Sequence, residues 1–195
     1  MFDLKPLLDQ LEVPGNYQIS MPEHFNFGFD VIDARAGDGD KTAYIWVDRS
    51  ATHIEHHSFS DLSKASSRFA NLLHGSGVAK GDAAIVVLPR VPAWYEVIIG
   101  CIKAGVVAMP GTNLLTAKDI EYRINKSQAT TIVVSVEHVA KIDSIRDSCP
   151  SLKYLILVGG DESGWINYEK DCAGVSNEVE PAAVCRSRSD DMMMA

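Results

Sequence analysis

Three histidines and a glutamate stand in one short run, His53-Ile54-Glu55-His56-His57. Imidazole and carboxylate groups are common ligands of zinc, so the run raises the question of a metal site. Side chains alternate between the two faces of a β-strand, which places His53, Glu55 and His57 on one face and His56 on the other. The sequence shows no fourth ligand for them, and a solvated strand face explains the same residues. We therefore expect the chain to bind no metal.

Two short segments have the composition of ligand-binding loops but not their context. Residues 75–81, Gly-Ser-Gly-Val-Ala-Lys-Gly, contain the glycines of a phosphate loop. Phosphate loops follow a strand and open a helix, whereas this segment follows a predicted helix and precedes a predicted strand. It is therefore interpreted as a helix end and a turn. Asp38-Gly39-Asp40 lacks the closing glutamate of a calcium loop.

Nucleophilic catalysis has no candidate in the sequence. There is no G-x-S-x-G elbow, and no cysteine has an identifiable histidine partner. The cysteines contain no C-x-x-C pair, which argues against structural zinc and against a disulfide framework; they are Cys101, Cys149, Cys172 and Cys185. We name no catalytic residue.

The elements that must position any site alternate regularly along the chain. Apolar runs of strand length are predicted at 83–88, 106–109, 130–135 and 154–158. Helical spacing of apolar residues predicts helices at 60–75, 92–105, 116–127 and 139–145. Strands that are apolar on both faces and separated by helices require a largely parallel sheet flanked by helices on both faces. The fold class is therefore α/β.

Local signals refine this pattern at its ends. Ser60 is predicted to cap the first helix, and Thr116 with Asp119 forms a capping box for the third. Two further strands, 42–47 and 52–59, flank a turn at residues 48–50. Residues 1–40 are expected to be loop-like, the stretch from 159 to 188 has little pattern, and residues 192–194 are expected to begin a buried strand.

Composition excludes several functional classes. With 195 residues, 46% of them apolar and 23% charged, the chain has the profile of an ordinary globular protein. A net charge of −8 disfavours a nucleic-acid or membrane-surface binder. No secretory signal or mitochondrial leader is visible, so we expect a cytoplasmic location. The most apolar stretch, 91–110, is interrupted by charges and prolines and does not predict a membrane span.

One segment carries a specific family pattern. It reads Leu-Pro-Arg-Val-Pro-Ala-Trp-Tyr at 88–95, Gly-Cys-Ile-Lys-Ala-Gly-Val-Val at 100–107 and Met-Pro-Gly-Thr at 109–112. Supporting pieces are Phe-Asn-Phe at 25–27, Asp-Val-Ile-Asp at 30–33, Phe-Ser-Asp-Leu at 59–62 and Asp-Ile-Glu-Tyr-Arg at 119–123. Together they closely resemble the medium-chain acyl-CoA synthetases, which belong to the AMP-forming adenylating enzymes. The sequence departs from the family at Ala93, where an acidic residue is common, and 113–115 is a stretch that varies among members.

The resemblance implies a fold and a domain division. The chain is similar to part of the N-terminal domain of the acyl-adenylate-forming synthetases, with an N-terminal extension over 1–40 and a partial AMP-binding domain over 41–195. Family members continue past the position of Ala195 into a Ser/Thr/Gly-rich loop that ends in a lysine and holds the ATP phosphates. Later in their sequences they carry an aspartate for the ribose, a threonine–glutamate pair and a C-terminal lysine. The chain is therefore expected to be an N-terminal fragment.

The resemblance also implies an activity and one site residue, and the position of a cation after a strand indicates a second. The parent enzyme would activate a fatty or aryl carboxylic acid with ATP and Mg²⁺ to an acyl-adenylate and then transfer the acyl group to CoA. Leu114 occupies a position where family members contact CoA, with an ordinary surface turn as the alternative. Arg90, a cation at the carboxyl end of a strand, is a second candidate on the CoA side, with a structural ion pair as the alternative.

The fragment itself is expected to be inactive and to bind none of ATP, Mg²⁺ and CoA. A different member of the superfamily, such as an aryl-CoA ligase, stays open as a reading. The alternative function is a non-catalytic truncated paralogue or interaction module that binds a partner through an open sheet edge. That edge also predicts self-association.

Overall fold

A parallel sheet forms the centre of the molecule. The computed structural model describes residues 22–179 and 187–195. The sheet has five strands in the order β4-β3-β5-β6-β7, and all of its paired neighbours are parallel. These strands are β3 Ala83–Val87, β4 Val107–Pro110, β5 Thr131–Ser135, β6 Tyr154–Val158 and β7 Ile166–Asn167.

Helices cover both faces of this sheet, as the sequence predicts. They are α1 Phe59–Ser76, α2 Pro92–Ala104, α3 Ala117–Ser127, α4 Val139–Asp143 and α5 Tyr168–Ala173. One core cluster joins α1, α2 and α5 to one face of the sheet, and a second joins α3 and α4 to the other. The α/β fold class is thereby confirmed. In the described part of the chain, no helix combines the length and apolar character needed to cross a membrane.

Two strands stand apart from the main sheet as an antiparallel hairpin. β1 Thr42–Val47 pairs with β2 Ile54–Ser58. Asp48 organises the turn, because one carboxylate oxygen accepts hydrogen bonds from the backbone N–H groups of Thr52, at 2.8 Å, and His53, at 2.9 Å. The Ser50 hydroxyl also donates a hydrogen bond to this carboxylate. That bond contributes most to lowering the pKa of Asp48 to about 2, and the two backbone bonds add to the effect.

Capping chemistry fixes most helix ends. The predicted capping box of Thr116 and Asp119 is present at α3. The predicted cap of α1 was wrong by two positions: Ser58, not Ser60, is the cap, and it forms a capping box with Asp61. The sequence Ser-Phe-Ser-Asp offers both serines, and only Ser58 stands three residues before the aspartate.

Two other stretches also depart from the prediction. The helix predicted over 139–145 is the short α4 flanked by the 3-10 turns Val136–His138 and Arg146–Ser148. The poorly patterned stretch after 159 contains β7 and α5, whose Tyr168 and Cys172 are buried. Both are too short for a periodic signal to develop.

The segment before β1 is helical rather than loop-like. A π-helix, Phe27–Asp33, continues into the turn Ala34–Ala36 and packs on α1 and α2. The fully buried Lys103 holds it there through Asp33 Oδ1, at 2.6 Å from the ammonium nitrogen. A Cβ on Gly28 would lie 2.4 Å from Lys103 Cγ, so only glycine allows this approach. Residues 1–21 lie outside the described residues, and the domain division at 40/41 stays a prediction.

The segments at the two ends of the described chain contact one another. The Phe25 N–H donates to the Ser187 carbonyl at 3.1 Å, and the Asn26 side chain donates to the Ser187 hydroxyl at 3.0 Å. From there the chain runs beside the edge strand β4: the Ala108 N–H donates to the Met193 carbonyl at 3.1 Å. The expected buried strand is thus only a single parallel bridge, and Met192 and Met194 are 66% and 49% exposed.

Candidate functional site

An open cavity of about 580 Å³ lies beyond the carboxyl ends of β3 and β4. In α/β sheets this edge is where ligands bind. Its lining comes from the loop after β3, the first turn of α2 and the loop after β4. The lining residues are Leu88, Pro89, Arg90, Trp94, Tyr95, Pro110, Gly111, Thr112 and Asn113.

Prolines and a glycine shape the two loops of the cavity. Pro89 lies in the short link between β3 and α2, and Pro92 opens α2 at its first turn, where its missing N–H costs no hydrogen bond. On the other side, the Gly111 N–H donates to the Val86 carbonyl at 2.8 Å, which keeps the β4 loop against β3. The cavity therefore has a fixed floor and two loop walls.

Arg90 lies where the sequence places it, at the cavity. Its side chain is exposed, and its guanidinium has no ion pair with any residue that the structure describes. Its carbonyl oxygen accepts a hydrogen bond from the Trp46 indole N–H at 2.8 Å. That Arg90 binds a ligand stays a prediction.

Leu114 and Asn113 occupy adjacent positions with opposite environments. Leu114, the predicted contact residue, is 87% exposed and does not line the cavity. Asn113 does line it, and its Oδ1 is buried without a hydrogen-bond partner among the described residues. A buried acceptor without a partner is costly, so it marks a place for a donor from a ligand or from water. The sequence analysis missed Asn113, although its position after β4 is the signal that singled out Arg90 after β3.

Aromatic rings form the remaining wall. Trp94 packs against the core and also lines the cavity. It meets Tyr95 edge to face at 5.2 Å between ring centroids, and Tyr95 stacks on Tyr44 of β1 at 4.6 Å. Burial, followed by the nearby Glu96 carboxylate, raises the pKa of Tyr44 above its ordinary value. The Tyr44 hydroxyl is therefore neutral, and it too is buried without a partner among residues 22–179 and 187–195.

The three polar residues predicted to share a face of β2 do share it. Nε2 of His53 lies 2.8 Å from Glu55 Oε1, and Nε2 of His57 lies 2.9 Å from Oε2. These hydrogen bonds lower the pKa of Glu55, that from His53 contributing most. Within the described residues, no group of three or more histidine, cysteine, aspartate or glutamate side chains is placed to hold a metal ion. That the chain binds no metal stays a prediction.

The glycine-rich segment is a helix end, as predicted. Gly77 closes α1 with a left-handed φ of 92°, a conformation that favours glycine. The Gly81 N–H donates to the Gly105 carbonyl at 2.8 Å, so it is not free for a phosphate. The three described cysteines, Cys101, Cys149 and Cys172, are buried and free. Burial raises the pKa of the Cys101 thiol to about 12, which leaves it protonated and unreactive.

Comparison with known proteins decides the family. Residues 32–194 match the family model described as AMP-binding enzyme. The chain belongs to the AMP-binding enzyme family. It is 37% identical over 180 residues to the mitochondrial acyl-coenzyme A synthetase ACSM5 of Mus musculus, covering 88% of this chain and 30% of the relative. It is 40% identical over 159 residues to ACSM2A of Homo sapiens, covering 77% and 27%.

Two solved structures share the fold. An acyl-CoA synthetase from Brucella canis superposes with a TM-score of 0.80 at 23% identity, over 99% of this chain and 34% of that one. An anthranilate CoA ligase, AuaEII, solved with anthranoyl-AMP, superposes with a TM-score of 0.76 at 20% identity, over 88% and 32%. The chain thus spans about 30% of the length of the relatives that it matches. These comparisons confirm the resemblance to the acyl-CoA synthetases and the fold expected from it.

Proposed function

We propose that these 195 residues are the N-terminal part of an AMP-forming acyl-CoA synthetase. In that reaction a carboxylate attacks the α-phosphorus of ATP, an acyl-adenylate forms and pyrophosphate leaves. The CoA thiol then displaces AMP and yields the thioester. The observation that carries the proposal is the family match over residues 32–194, together with identities of 37% and 40% to two acyl-coenzyme A synthetases.

The cavity is proposed as the CoA side of this site. Its chemistry suits an anion that carries amide groups: Arg90 offers a guanidinium, and the unpartnered Asn113 Oδ1 offers an acceptor to an amide N–H. Leu114 stands beside the cavity, exposed enough to cover a ligand that enters there. In this proposal Arg90 and Leu114 are binding residues, and neither takes part in bond making.

We propose that the triphosphate site of the parent enzyme lies outside the described residues. No described histidine, cysteine, aspartate or glutamate cluster suits a metal ion, and the glycine-rich segment is closed by its own hydrogen bonds. In the parent enzyme ATP would supply the reacting phosphorus, and Mg²⁺ would neutralise charge on the phosphate groups. Each missing electrostatic donor can cost about 10²–10³ in rate, so we propose that the chain alone is inactive.

Isotope exchange tests this proposal. The 195-residue chain should give no acid-dependent exchange of label between pyrophosphate and ATP and no saturable ATP binding by calorimetry at millimolar ligand. The same chain continued through the phosphate loop and C-terminal lysine implied by the family resemblance should give both, with fatty or aromatic acids as substrates. Exchange by the 195-residue chain above a heat-killed control would contradict the proposed inactivity. Its absence from the longer chain would contradict the proposed activity.

A second candidate function is a non-catalytic interaction module on the same scaffold. It is favoured by the edge beyond β4, where a single bridge is the only pairing that the described residues provide and two methionines are exposed. We expect the 195-residue chain to sediment as dimers or larger species. If the chain is a monomer over a wide concentration range, its own C-terminal segment covers the edge. The cytoplasmic location also stays a prediction, to be tested by fractionation, and the relatives named above are described as mitochondrial.

A further inference from the structure

The inner face of the β1–β2 hairpin contacts the cavity wall at two places. This face carries Tyr44 and Trp46 on β1 and Glu55 and His57 on β2, with His53 just before β2. The Trp46 indole N–H donates to the carbonyl of Arg90, and the Tyr44 ring stacks on Tyr95 with centroids 4.6 Å apart. The hairpin is a separate sheet, so neither contact comes from the strand pairing that forms the cavity floor.

Polar residues of the hairpin contact these two rings. His57 stacks on Tyr44 with centroids 4.6 Å apart and an interplanar angle of 12°. His53 meets Trp46 edge to face at 6.1 Å. Glu55 joins the two imidazoles, because each of its carboxylate oxygens is hydrogen-bonded to one of them. One carboxylate thus links both aromatic side chains that touch the cavity wall.

We infer that the inner face of the hairpin positions the wall of the cavity. Trp46 fixes the Arg90 backbone through its hydrogen bond, and Tyr44 fixes the Tyr95 ring by stacking on it. Glu55 holds Trp46 and Tyr44 in place through the two histidines. The inference rests on the proposed function in one respect, namely that Arg90 serves a ligand in this cavity. It also gives the histidine run a role that needs no metal.

The arrangement suits positioning because it fixes the backbone and leaves the charge free. A long arginine side chain loses much rotational freedom when it meets a ligand. Fixing the peptide from which it extends leaves that cost in place but removes the separate cost of ordering the loop backbone. The Arg90 carbonyl is held by Trp46, while its guanidinium has no ion pair among the described residues. The affinity of the cavity for an anion is thereby set from the hairpin.

Backbone amide hydrogen exchange tests the inference without any ligand. The Val91 N–H belongs to the same peptide unit as the Arg90 carbonyl and is itself hydrogen-bonded, so its exchange rate relative to that of Ile124 in α3, followed by NMR, reports opening of this peptide. Trp46→Phe keeps an aromatic ring and removes the N–H donor. Loss of one hydrogen bond shifts a local opening equilibrium by about fivefold, so the Val91 to Ile124 exchange ratio should rise by about that factor. Trp165→Phe, in the cluster on the other face of the sheet, is the matched control and should leave the ratio unchanged.

Substitutions at Tyr44 separate positioning from simple packing. Tyr44→Phe keeps the stack and removes a hydroxyl that has no partner among the described residues, so the ratio should stay at the wild-type value. Tyr44→Leu removes the stack and should raise the ratio. Guanidinium chloride midpoints are measured for every variant. A merely structural role would lower the midpoints and leave the exchange ratio of the folded protein unchanged.

The outcomes decide in either direction. A raised ratio in Trp46→Phe and Tyr44→Leu, with wild-type values in Tyr44→Phe and Trp165→Phe, supports the inference. An unchanged ratio in folded Trp46→Phe overturns it. If that variant does not fold, Glu55→Gln decides in its place, since its side chain is partly exposed and its loss is tolerable: a raised ratio supports the inference and an unchanged one overturns it. Because no substrate is used, failure here is distinct from failure of the proposed activity.

Discussion

Two regions beside the sheet differ in whether their buried polar groups have hydrogen-bond partners. At the end of α2, just before β4 begins, the Lys103 ammonium donates to Asp33, to the Ser67 hydroxyl at 2.8 Å and to the Ser63 carbonyl at 3.0 Å. In the loops after β4 and β5, Asn113 Oδ1 and both ring nitrogens of His138 are buried without a partner in the described part of the chain. Buried polar groups are nearly always paired in native proteins.

The difference separates a region built for stability from one that keeps its hydrogen-bonding capacity open. The Asn113 and His138 atoms lie beyond the carboxyl ends of β4 and β5, at the edge of the sheet where α/β proteins bind ligands. Substitutions at the two regions should therefore differ in sign as well as in size. The three predictions below use that difference.

The largest expected loss of stability is at Lys103. Lys103→Met keeps the aliphatic chain but leaves the Asp33 carboxylate without its ammonium partner. Breaking such a pair from one side should lower the free energy of unfolding by about 3 kcal/mol. Guanidinium chloride unfolding measures it. Lys126→Met, at an exposed position on α3, is the matched control and should stay within about 0.5 kcal/mol of wild type. Equal effects at both positions would remove the contrast.

A pair of glycine substitutions should give opposite signs. Gly28→Ala places a Cβ against the stem of Lys103 and should destabilise the protein by about 1–3 kcal/mol. Gly75→Ala lies in α1 with nothing within 4 Å of the added Cβ, and should stabilise by about 0.5–1 kcal/mol. Thermal unfolding of both variants is the measurement. A neutral Gly28→Ala would show that the segment before β1 can move away from α2.

The smallest effect, and the one of opposite sign, is expected at His138. His138→Leu replaces a buried unpartnered ring with an apolar side chain and should be neutral or stabilising by about 1 kcal/mol at pH 7.5. Burial, followed by Lys141, lowers the pKa of His138. In the unfolded chain His138 has its ordinary pKa near 6.5, so as the pH falls the unfolded chain takes up the proton before the folded protein does. The stability of the wild type therefore falls as the pH drops below about 6.5.

Unfolding free energies at pH 7.5 and 5.5 test the His138 prediction. The leucine variant should lose less stability than wild type between these two conditions. A greater loss would mean that His138 is charged and paired in the folded protein. It would then resemble Lys103 rather than the open groups at the cavity side.

Local chemistry made most of the fold predictable. The apolar strands, the helices between them and the capping box at α3 depend on neighbours a few residues apart. The helix over residues 27–36 was missed because its partner, Lys103, is 70 positions away from Asp33. A pattern within the segment carries no sign of that ammonium. Helix α5 was missed for a similar reason, because its Tyr168 is hydrogen-bonded to Glu96 of α2, 72 positions away.

The site was predictable only where a positional rule applies. Arg90 was found because it follows a strand at the carboxyl edge, and the same rule applied to β4 would have found Asn113. No such rule leads to Tyr44 or Tyr95, since their stacking requires the hairpin to dock against α2. For the same reason the histidine run suggested a metal site, because its aromatic neighbours come from other elements.

The contact between residues 25–26 and Ser187 sets an order of events during synthesis. The Asn26 side chain and the Ser187 hydroxyl are 161 positions apart. A ribosome that adds about 5–20 residues per second needs roughly ten to thirty seconds to make the intervening chain. During that interval the strands and helices between them can fold, since their contacts span shorter distances. The Asn26 side chain can therefore bond to the Ile102 carbonyl, 2.8 Å away, before Ser187 is made, and its contact with Ser187 is the later of the two to form.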